Sequence, residues 1–249
     1  MVRYGLLGKK LGHSFSPKYF NGKFGEEGID ARYDLFEIPE IDRLPELIKD
    51  NPDLKGLNVT IPYKECVIPY LDEISPEARR AGAVNVIKFS EEGDKVKLAG
   101  HNTDIIGFRE SLRKLLDPNV SNKAIVLGTG GASKAVAVAL EDLKIPFQPV
   151  SRHKAEGRIS YEMLDKEMMD SISLVINTTP LGMFPEIDES LDIPYQFLNG
   201  RHLCYDLIYN PEETRFLCKA RAQGARIKNG IEMLEIQAEE AWRIWNEEA

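Results

Sequence analysis

The chain has 249 residues and a formal net charge of −8 at pH 7, with 43% hydrophobic and 29% charged residues. This composition is that of an ordinary globular protein, long enough to bury a sizeable core in one large domain or two modest ones. An acidic chain argues against nucleic-acid binding, which uses a basic face, and no apolar run approaches the roughly 18 residues of a membrane span.

The first fifty residues predict two strands, each followed by a helix. The strands are predicted over 2–8 and 30–38, and the second helix over 41–50. Ser16 followed by Pro17 is typical of the start of the first helix, with a hydroxyl N-cap and proline at the first helical position. Two hydroxyls beside a helix N-terminus, those of Ser14 and Ser16, would also suit a small carboxylate.

The stretch 54–64 has strand character but carries polar side chains that packing does not explain. They are Asn58, Thr60 and Lys64, and Pro62 ends the strand before a helix that begins near residue 63. An isolated lysine is usually a solvated surface cation. Lys64 is therefore a candidate only because of the polar residues around it.

Two further strands, over 83–89 and 95–101, are predicted to form a hairpin that leads to a polar helix start. Asn85 alternates with apolar neighbours and is a candidate polar group on a face that looks into a site. Thr103 and Asp104 precede a helix over 105–116, and either could serve simply as its N-cap. The role of Asp104 stays open between a cap and a site carboxylate.

The segment 123–140 predicts a strand, a tight glycine turn and a helix of small residues. Gly128, Gly130 and Gly131 let the backbone turn sharply and approach a ligand, and the helix offers N–H groups and a positive dipole end to an anion. Ser133 replaces the third glycine of the G-x-G-x-x-G pattern. Such turns also occur for packing reasons alone, but the place of this one between strand and helix favours a dinucleotide phosphate.

A basic loop follows the next strand, which is predicted over 145–150. An NAD site generally has Asp or Glu roughly 20 residues after the glycines to bind the ribose 2′-hydroxyl, whereas this chain has Ser151, Arg152, His153 and Lys154. Arg152 and Lys154 would attract a 2′-phosphate. The loop is either a solvated cluster of charges or, given the glycine turn before it, a selector for NADP.

The remaining elements alternate between strand and helix. Strands are predicted over 173–177, 203–208 and 226–228, and helices over 214–223 and 231–246. This alternation predicts a parallel, doubly wound sheet, in which the loops at the carboxyl ends of the strands line the ligand crevice. An apolar stripe on the last helix is predicted to pack in a core and consists of Leu234, Ala238, Ala241, Trp242 and Trp245. Gln237 is harder to explain by packing.

Cysteine and histidine usage gives no sign of a disulfide or a metal site. Cys66, Cys204 and Cys218 form no close pair, and the four histidines show no ligand spacing. Free thiols in a reducing cytoplasm are the simplest account, and the N-terminus lacks the apolar region and cleavage site of a signal peptide. The sequence therefore predicts a cytoplasmic protein without a metal.

Eight motifs occur in a fixed order along nearly the whole chain. They are HSFSP (13–17), GLNVTIPYK (56–64), AGAVN (81–85), GHNTDIIGF (100–108), GTGGAS (128–133), NTTPLGM (177–183), YDLIYNPEET (205–214) and NGIEML (229–234). In these motifs the chain resembles the shikimate dehydrogenase family, whose members interconvert 3-dehydroshikimate and shikimate with NADP in the pathway to the aromatic amino acids. The resemblance implies the same NADP-dependent oxidoreductase activity here.

The resemblance implies a role for each candidate residue. Ser14 and Ser16 would hold the substrate carboxylate, and Lys64 with Asp104 would form the catalytic pair. The groups that grip the substrate hydroxyls would be Asn58, Thr60, Asn85, Asp104 and Gln237, with Tyr209 at the mouth of the site. The cofactor contacts would be Gly128, Thr129, Gly130, Gly131, Ala132, Ser151, Arg152, Lys154, Thr178, Leu207 and Gly230.

The resemblance also implies an α/β protein of two domains. An N-terminal mixed α/β substrate domain would comprise residues 1–102 and 231–249, so that the C-terminal helix returns to it, and a Rossmann-like doubly wound NADP-binding domain would comprise 103–230. The expected partner is a small-molecule substrate, with no nucleic acid or membrane, and the chain is expected to be a monomer or a homodimer. Two alternatives stay open: a quinate/shikimate dehydrogenase of broader substrate range, and a non-catalytic NADP-binding regulator with the same fold.

Overall fold

A computed structural model describes residues 1–12, 14–93, 95–117 and 121–247 of the chain. Close packing divides the chain into two compact units. One unit runs from Met1 to Thr103 and takes up the chain again from Ala238, and the other comprises Asp104–Gln237. The chain therefore returns to the first unit within its terminal helix, whereas the sequence placed that boundary before the helix, at residues 230–231.

The first unit is built on a mixed six-stranded sheet. Its strands are β1 (Val2–Gly8), β2 (Ala31–Glu37), β3 (Leu54–Val59), β4 (Glu73–Ile74), β5 (Val86–Glu92) and β6 (Lys95–His101). Its helices include α1 (Ser16–Glu27), α2 (Leu44–Asp50), α3 (Tyr63–Cys66) and α4 (Pro76–Ala81). The strand order is β2-β1-β3-β5-β6-β4, and β1 is parallel to both β2 and β3. The segments that follow β1 and β3 consequently begin at the same edge of the sheet.

The second unit is built on a six-stranded sheet in which every neighbouring pair is parallel. Its strands are β7 (Ala124–Leu127), β8 (Phe147–Ser151), β9 (Ile159–Ser160), β10 (Leu174–Asn177), β11 (Leu203–Asp206) and β12 (Arg226–Lys228). Its helices include α5 (Asp104–Arg113), α6 (Gly131–Asp142), α7 (Lys166–Ser171), α8 (Arg215–Ala222) and the first part of α9 (Ile231–Asn246). The order β12-β11-β10-β7-β8-β9 reverses between β7 and β10, at the kind of switch point where open α/β sheets bind ligands. The doubly wound sheet predicted from the sequence is confirmed.

The C-terminal part of α9 packs in the first unit. The indole of Trp245 donates to the Ile87 carbonyl over 3.1 Å. It also lies against Gly56, where a Cβ would come within 2.6 Å of three indole atoms. Ala238, Ala241 and Trp245 of the predicted stripe are buried, so the helix bounds and the core role predicted for this part of the helix are confirmed.

Two local predictions about site residues differ from the structure. Ser16 is not the N-cap of α1: Phe15 before it already has a right-handed helical conformation and takes the N-cap position, and no side chain caps the helix. Asn85 directly precedes β5 instead of lying inside a strand, and α5 begins at Asp104, so this carboxylate is in the first helical turn. Asp94, the last residue of the predicted hairpin turn, lies outside the described residues.

A buried carboxylate ties together the loops that follow β10 and β11. Asp206 is fully buried and accepts hydrogen bonds from Asn177 Nδ2 at 2.9 Å and from the Thr214 hydroxyl at 2.6 Å. The Ile208 amide donates to the same carboxylate over 3.0 Å. Asn177 Oδ1 in turn accepts from the amide and the hydroxyl of Thr179. Burial raises the pKa of Asp206 from 3.8 to about 6, and the three donors oppose that rise.

We predict that Asp206→Asn changes the pH dependence of stability. Because the pKa of Asp206 in the folded chain is raised to about 6, above that of an unfolded aspartate, its contribution to stability is present at low pH and is lost as the pH rises through that value. Relative to the variant, the unmutated chain should gain about 2 kcal/mol in free energy of unfolding between pH 7 and pH 4.5. Urea unfolding of both proteins at the two pH values measures this gain, and an equal difference at both pH values contradicts the prediction.

Candidate active site

In the first unit, buried hydrogen bonds join Tyr33 to two of the predicted substrate residues. The Tyr33 hydroxyl donates to Asn58 Oδ1 over 2.7 Å, while Ser16 is half-buried at the start of α1. Asn58 Nδ2 lies 3.4 Å from the carbonyl oxygen of Asn85. Asn58 and Asn85 are only 5% and 3% exposed, so their amides are oriented by these bonds and not by solvent.

Tyr33 is a residue that the sequence analysis missed. It lies in β2, is 2% exposed, and stacks on Phe20 with the ring centroids 4.6 Å apart. Burial raises the pKa of its hydroxyl far above the ordinary value of 10, so Tyr33 is a neutral hydrogen-bond donor at physiological pH. Aromatic residues are common in strands for packing alone, and no local pattern distinguishes this hydroxyl.

One short segment, 84–85, hydrogen-bonds the backbone at two places. These are Lys64 and Thr103, the residue before Asp104. Lys64 lies in α3, and its carbonyl accepts from the amide of residue 84 over 2.7 Å. The Thr103 amide donates to Asn85 Oδ1 over 2.7 Å, and Asn85 Nδ2 donates to Thr103 Oγ1 over 3.0 Å. Lys64 is half-buried and Asp104 is buried. The Lys64 carbonyl and the Thr103 backbone are therefore both held by this segment of the first unit.

Ser14 and Thr60 follow β1 and β3 at the edge where these strands end. The Ser14 hydroxyl donates to the Leu11 carbonyl over 2.8 Å, within its own turn. The Thr60 amide donates to the Leu7 carbonyl over 2.9 Å, and a Cβ at Gly8 would lie 2.8 Å from the Thr60 methyl group. The absence of a side chain at Gly8 is what lets the two segments approach each other.

In the second unit, the glycine turn has the geometry that a dinucleotide phosphate needs. Gly128 has φ of +114°, and a Cβ there would lie 2.6 Å from Thr178 Oγ1, so only glycine fits. Gly130 is the N-cap of α6, and the space that its Cβ would take is open. Ser133, at the position of the third glycine, donates its hydroxyl to the Gly130 carbonyl over 2.7 Å. The first N–H groups of α6 thus lie beside open space that an anion can enter, and the residues present fit a dinucleotide.

A cavity of about 280 Å³ adjoins this turn. Thr129 and Lys134 line it from the turn and from α6, and Glu156, Gly157 and Arg158 line it from the loop after β8. The sequence analysis missed Lys134 and Arg158 as cations that line the cavity beside the glycine turn. No local pattern marks Arg158, because it reaches the cavity only where the loop folds back. The loop turns at Gly157, whose φ of +73° favours glycine.

The predicted selector loop is exposed. The Ser151 hydroxyl donates to the carbonyl of His153 and turns the chain after β8, and the Arg152 and Lys154 side chains extend from this turn into solvent. Burial raises the pKa of Tyr161, and the nearby Arg152 guanidinium opposes that rise. Neither Arg152 nor Lys154 lines the cavity, but as exposed cations both are accessible to a phosphate.

The other predicted cofactor residues lie at the carboxyl ends of β10 and β11 or pack against them. The Thr178 hydroxyl donates to the Leu127 carbonyl over 2.7 Å and so joins the ends of β10 and β7. The Gly230 amide donates to the Ile208 carbonyl over 3.0 Å. A Cβ at Gly230 would lie 2.0 Å from the Leu207 carbonyl oxygen, so this glycine is required for packing against Leu207.

Tyr209 and Gln237, the predicted substrate residues of the second unit besides Asp104, lie in different elements. Tyr209 is half-buried in the loop after β11. Gln237 is 8% exposed in α9, and its Nε2 donates to the Leu234 carbonyl over 3.0 Å. A Cβ at Gly107 of α5 would lie 3.1 Å from that of Gln237, so the two helices approach closely at this amide.

Across the described ranges, no group of three or more His, Cys, Asp or Glu side chains is arranged to hold a metal ion. In the same part of the chain, no helix is both long enough and apolar enough to cross a bilayer. Cys66, Cys204 and Cys218 are unpaired thiols.

Comparison with known proteins finds relatives along the whole chain. The family model described as "Shikimate dehydrogenase substrate binding domain" matches residues 6–87. A shikimate dehydrogenase (NADP(+)) from Clostridium beijerinckii is 41% identical over 256 residues, which cover 99% of this chain and 93% of the relative.

Solved structures agree with the sequence comparison. Shikimate 5-dehydrogenase from Thermus thermophilus, in complex with NADP(H) and shikimate, is 31% identical with a TM-score of 0.84, covering 99% of this chain and 94% of that one. Quinate dehydrogenase from Corynebacterium glutamicum, in complex with NAD, is 27% identical with a TM-score of 0.85, covering 98% and 93%. With such similarity over nearly its whole length, this chain belongs to the shikimate dehydrogenase family.

Proposed function

We propose that this protein catalyses the reversible, NADP-dependent reduction of 3-dehydroshikimate to shikimate. The observation that carries the proposal is the bonding of segment 84–85, which holds the Lys64 carbonyl on one side and Thr103, next to Asp104, on the other. The activity named for the relatives supports it. The first unit would bind the substrate and the second unit the cofactor.

Lys64 is assigned the proton transfer. In the direction of reduction, its ammonium group would donate a proton to the oxygen of the ring carbon that becomes the alcohol; in oxidation, the neutral amine would accept that proton. Asp104, as a carboxylate, would orient Lys64 and the substrate hydroxyl. Its place in the first turn of α5 suits a negative charge, because a helix N-terminus carries a partial positive charge.

Neutral polar groups would hold the substrate. The Ser14 and Ser16 hydroxyls would donate to the carboxylate. The groups assigned to the substrate hydroxyls are Asn58, Thr60, Asn85 and Gln237, together with Asp104, and Tyr209 is assigned to the mouth of the site. Amides and hydroxyls offer both donors and acceptors, so they match a polyol without bringing an uncompensated charge into a buried site.

NADP, when bound, supplies the hydride in one direction and accepts it in the other. The glycine turn (Gly128, Thr129, Gly130, Gly131 and Ala132) would bind the pyrophosphate, and Ser151, Arg152 and Lys154 the 2′-phosphate. Thr178, Leu207 and Gly230 would contact the rest of the cofactor. We place this acidic chain in the cytoplasm, acting on a small molecule as a monomer or a homodimer, with no nucleic-acid or membrane partner.

The decisive experiment is an assay of NADP⁺ reduction with shikimate and with quinate in parallel. Because both Ser14 and Ser16 are present, we expect the larger kcat/KM with shikimate. Comparable values for the two acids would identify a quinate/shikimate dehydrogenase of broader range, to which the likeness to the Corynebacterium enzyme points. No NADPH formation with either acid would instead favour a non-catalytic NADP-binding regulator.

Lys64→Ala should lower kcat with shikimate by about 10²- to 10⁴-fold, because the proton then has no positioned donor or acceptor. Binding of NADP⁺, measured by calorimetry, should stay unchanged, since the glycine turn is in the other unit. Lys55→Ala is the matched control: Lys55 lies in β3 of the same unit and pairs with Glu91 at the surface. Near-normal turnover of Lys64→Ala would rule out this assignment.

Arg152→Glu should lower the ratio of kcat/KM for NADP⁺ to that for NAD⁺ by about tenfold or more, because a charge-assisted bond to the 2′-phosphate is replaced by repulsion. Calorimetry should show weaker binding of adenosine 2′,5′-bisphosphate and unchanged binding of 5′-AMP. Arg201→Glu serves as the control. The exposed Arg201 precedes β11, so it lies where the parallel strands begin, whereas the glycine turn lies where they end. An unchanged cofactor ratio for Arg152→Glu would refute the role of this loop.

A further inference from the structure

The Tyr33 hydroxyl hydrogen-bonds a proposed substrate residue that lies in a different strand. This residue is Asn58, near the end of β3. Tyr33 lies in β2, which β1 separates from β3, so its ring reaches across the face of β1 to place the hydroxyl 2.7 Å from Asn58 Oδ1. The pairing of Tyr4 with Tyr33 and of Leu6 with Asn58 puts both side chains on the same face of the sheet.

Tyr33 is held rigidly at both its backbone and its ring. Its amide donates to Asn21 Oδ1 and its carbonyl accepts from Asn21 Nδ2, both over 2.9 Å. Its ring is nearly parallel to that of Phe20, with an interplanar angle of 9°. The hydroxyl therefore has a fixed position before any substrate arrives.

The hydrogen bond from Tyr33 determines the orientation of the Asn58 amide. A tyrosine hydroxyl has one proton, and that of Tyr33 goes to Asn58 Oδ1. Oδ1 therefore faces Tyr33, and Nδ2 is the end of the amide that can donate to a substrate hydroxyl oxygen; its bond to the Asn85 carbonyl is long at 3.4 Å.

We propose that Tyr33 is a positioning residue of the reaction, whose hydroxyl fixes the Asn58 amide with Nδ2 directed to the substrate hydroxyls. The inference rests on the proposed function, because Asn58 has this role only if the protein acts on a polyol acid. Tyr33 acts through Asn58 and not by contact with the reacting atoms.

Tyr33→Phe tests the inference, because it keeps the stacked ring and removes one oxygen. Asn58 Oδ1 then loses its buried donor and the amide is no longer fixed. The KM for shikimate should rise about five- to twentyfold while kcat changes less than about twofold, since the lost contact serves the ground state and the transition state alike. The KM for NADP⁺ should not change.

A matched control and a double-mutant cycle separate positioning from a loss of stability. Tyr195→Phe removes the hydrogen bond of another tyrosine, to the Leu191 carbonyl at 3.0 Å, outside the candidate site, and should leave both KM values unchanged. In an Asn58→Ala background, Tyr33→Phe should alter the KM for shikimate less than about twofold. A KM for Tyr33→Phe within twofold of the unmutated value, or the same increase in both backgrounds, overturns the inference.

Asn21→Ala is a second variant, used if Tyr33→Phe does not unfold cooperatively. It removes the two hydrogen bonds that hold the Tyr33 backbone. A KM for shikimate raised more than twofold in Asn21→Ala supports the inference, and an unchanged KM overturns it. The unmutated chain is assayed first, and the acid with the larger kcat/KM is used throughout. Inactivity with both acids overturns the proposed function and the inference with it, whereas activity that Tyr33→Phe leaves unchanged overturns the inference alone.

Discussion

Parallel strands end at the same edge of a sheet, and this constraint sets where the candidate residues of each unit lie. In the first unit, β1 and β3 are parallel neighbours, so the segments that follow them and carry Ser14 and Thr60 start side by side although they are distant in sequence. In the second unit, the parallel strands β7, β10 and β11 end directly before Gly128, Thr178 and Leu207. The hydrogen bonds of the sheet fix the backbone up to each strand end, and the side chains just beyond it are left for ligands.

Buried polar groups then determine how precisely each side chain is oriented. A buried donor or acceptor without a partner costs about 1–3 kcal/mol, so each amide and carboxylate in these sheets has strong reason to keep one arrangement. Asn58 and Asn85 obtain their partners from Tyr33 and Thr103, and Asp206 obtains three, from the end of β10 and from the segment after β11. The same free energy that makes such groups costly to bury makes their orientation specific. The geometry of the site is therefore set by the protein before a substrate binds.

Local sequence signals predicted the features that depend on local structure. The glycine turn was found because its residues are consecutive, and the bounds of α9 were found because its stripe repeats at helical spacing. Asn58 and Lys64 were found because polar groups stood where a strand needs none. The N-cap assigned to Ser16 was wrong, because Phe15 already has helical geometry and takes the N-cap position.

The residues that sequence analysis missed are those whose roles arise from tertiary contacts. A tyrosine within a strand looks like a packing residue, and only the placement of β2 beside β1 reveals that the Tyr33 hydroxyl reaches β3. Arg158 looks like an ordinary exposed cation, and only the backward fold of its loop brings it to the cavity beside the glycine turn. Neither arrangement has a signature within one segment.

The two units differ in the physical means of recognition that they offer. In the first unit the candidate groups include buried, neutral amides, whose hydrogen bonds are directional and distinguish a ligand that has a hydroxyl from one that lacks it. In the second unit the cations at 152 and 154 are exposed, so they keep their hydration until an anion arrives, and salt screens their attraction. Under the proposed function, discrimination among polyol acids would therefore rest on a rigid, buried network, and discrimination between NADP and NAD would rest on a solvated loop. The network transmits a change in one side chain to its neighbours, while each cation of the loop contributes largely on its own.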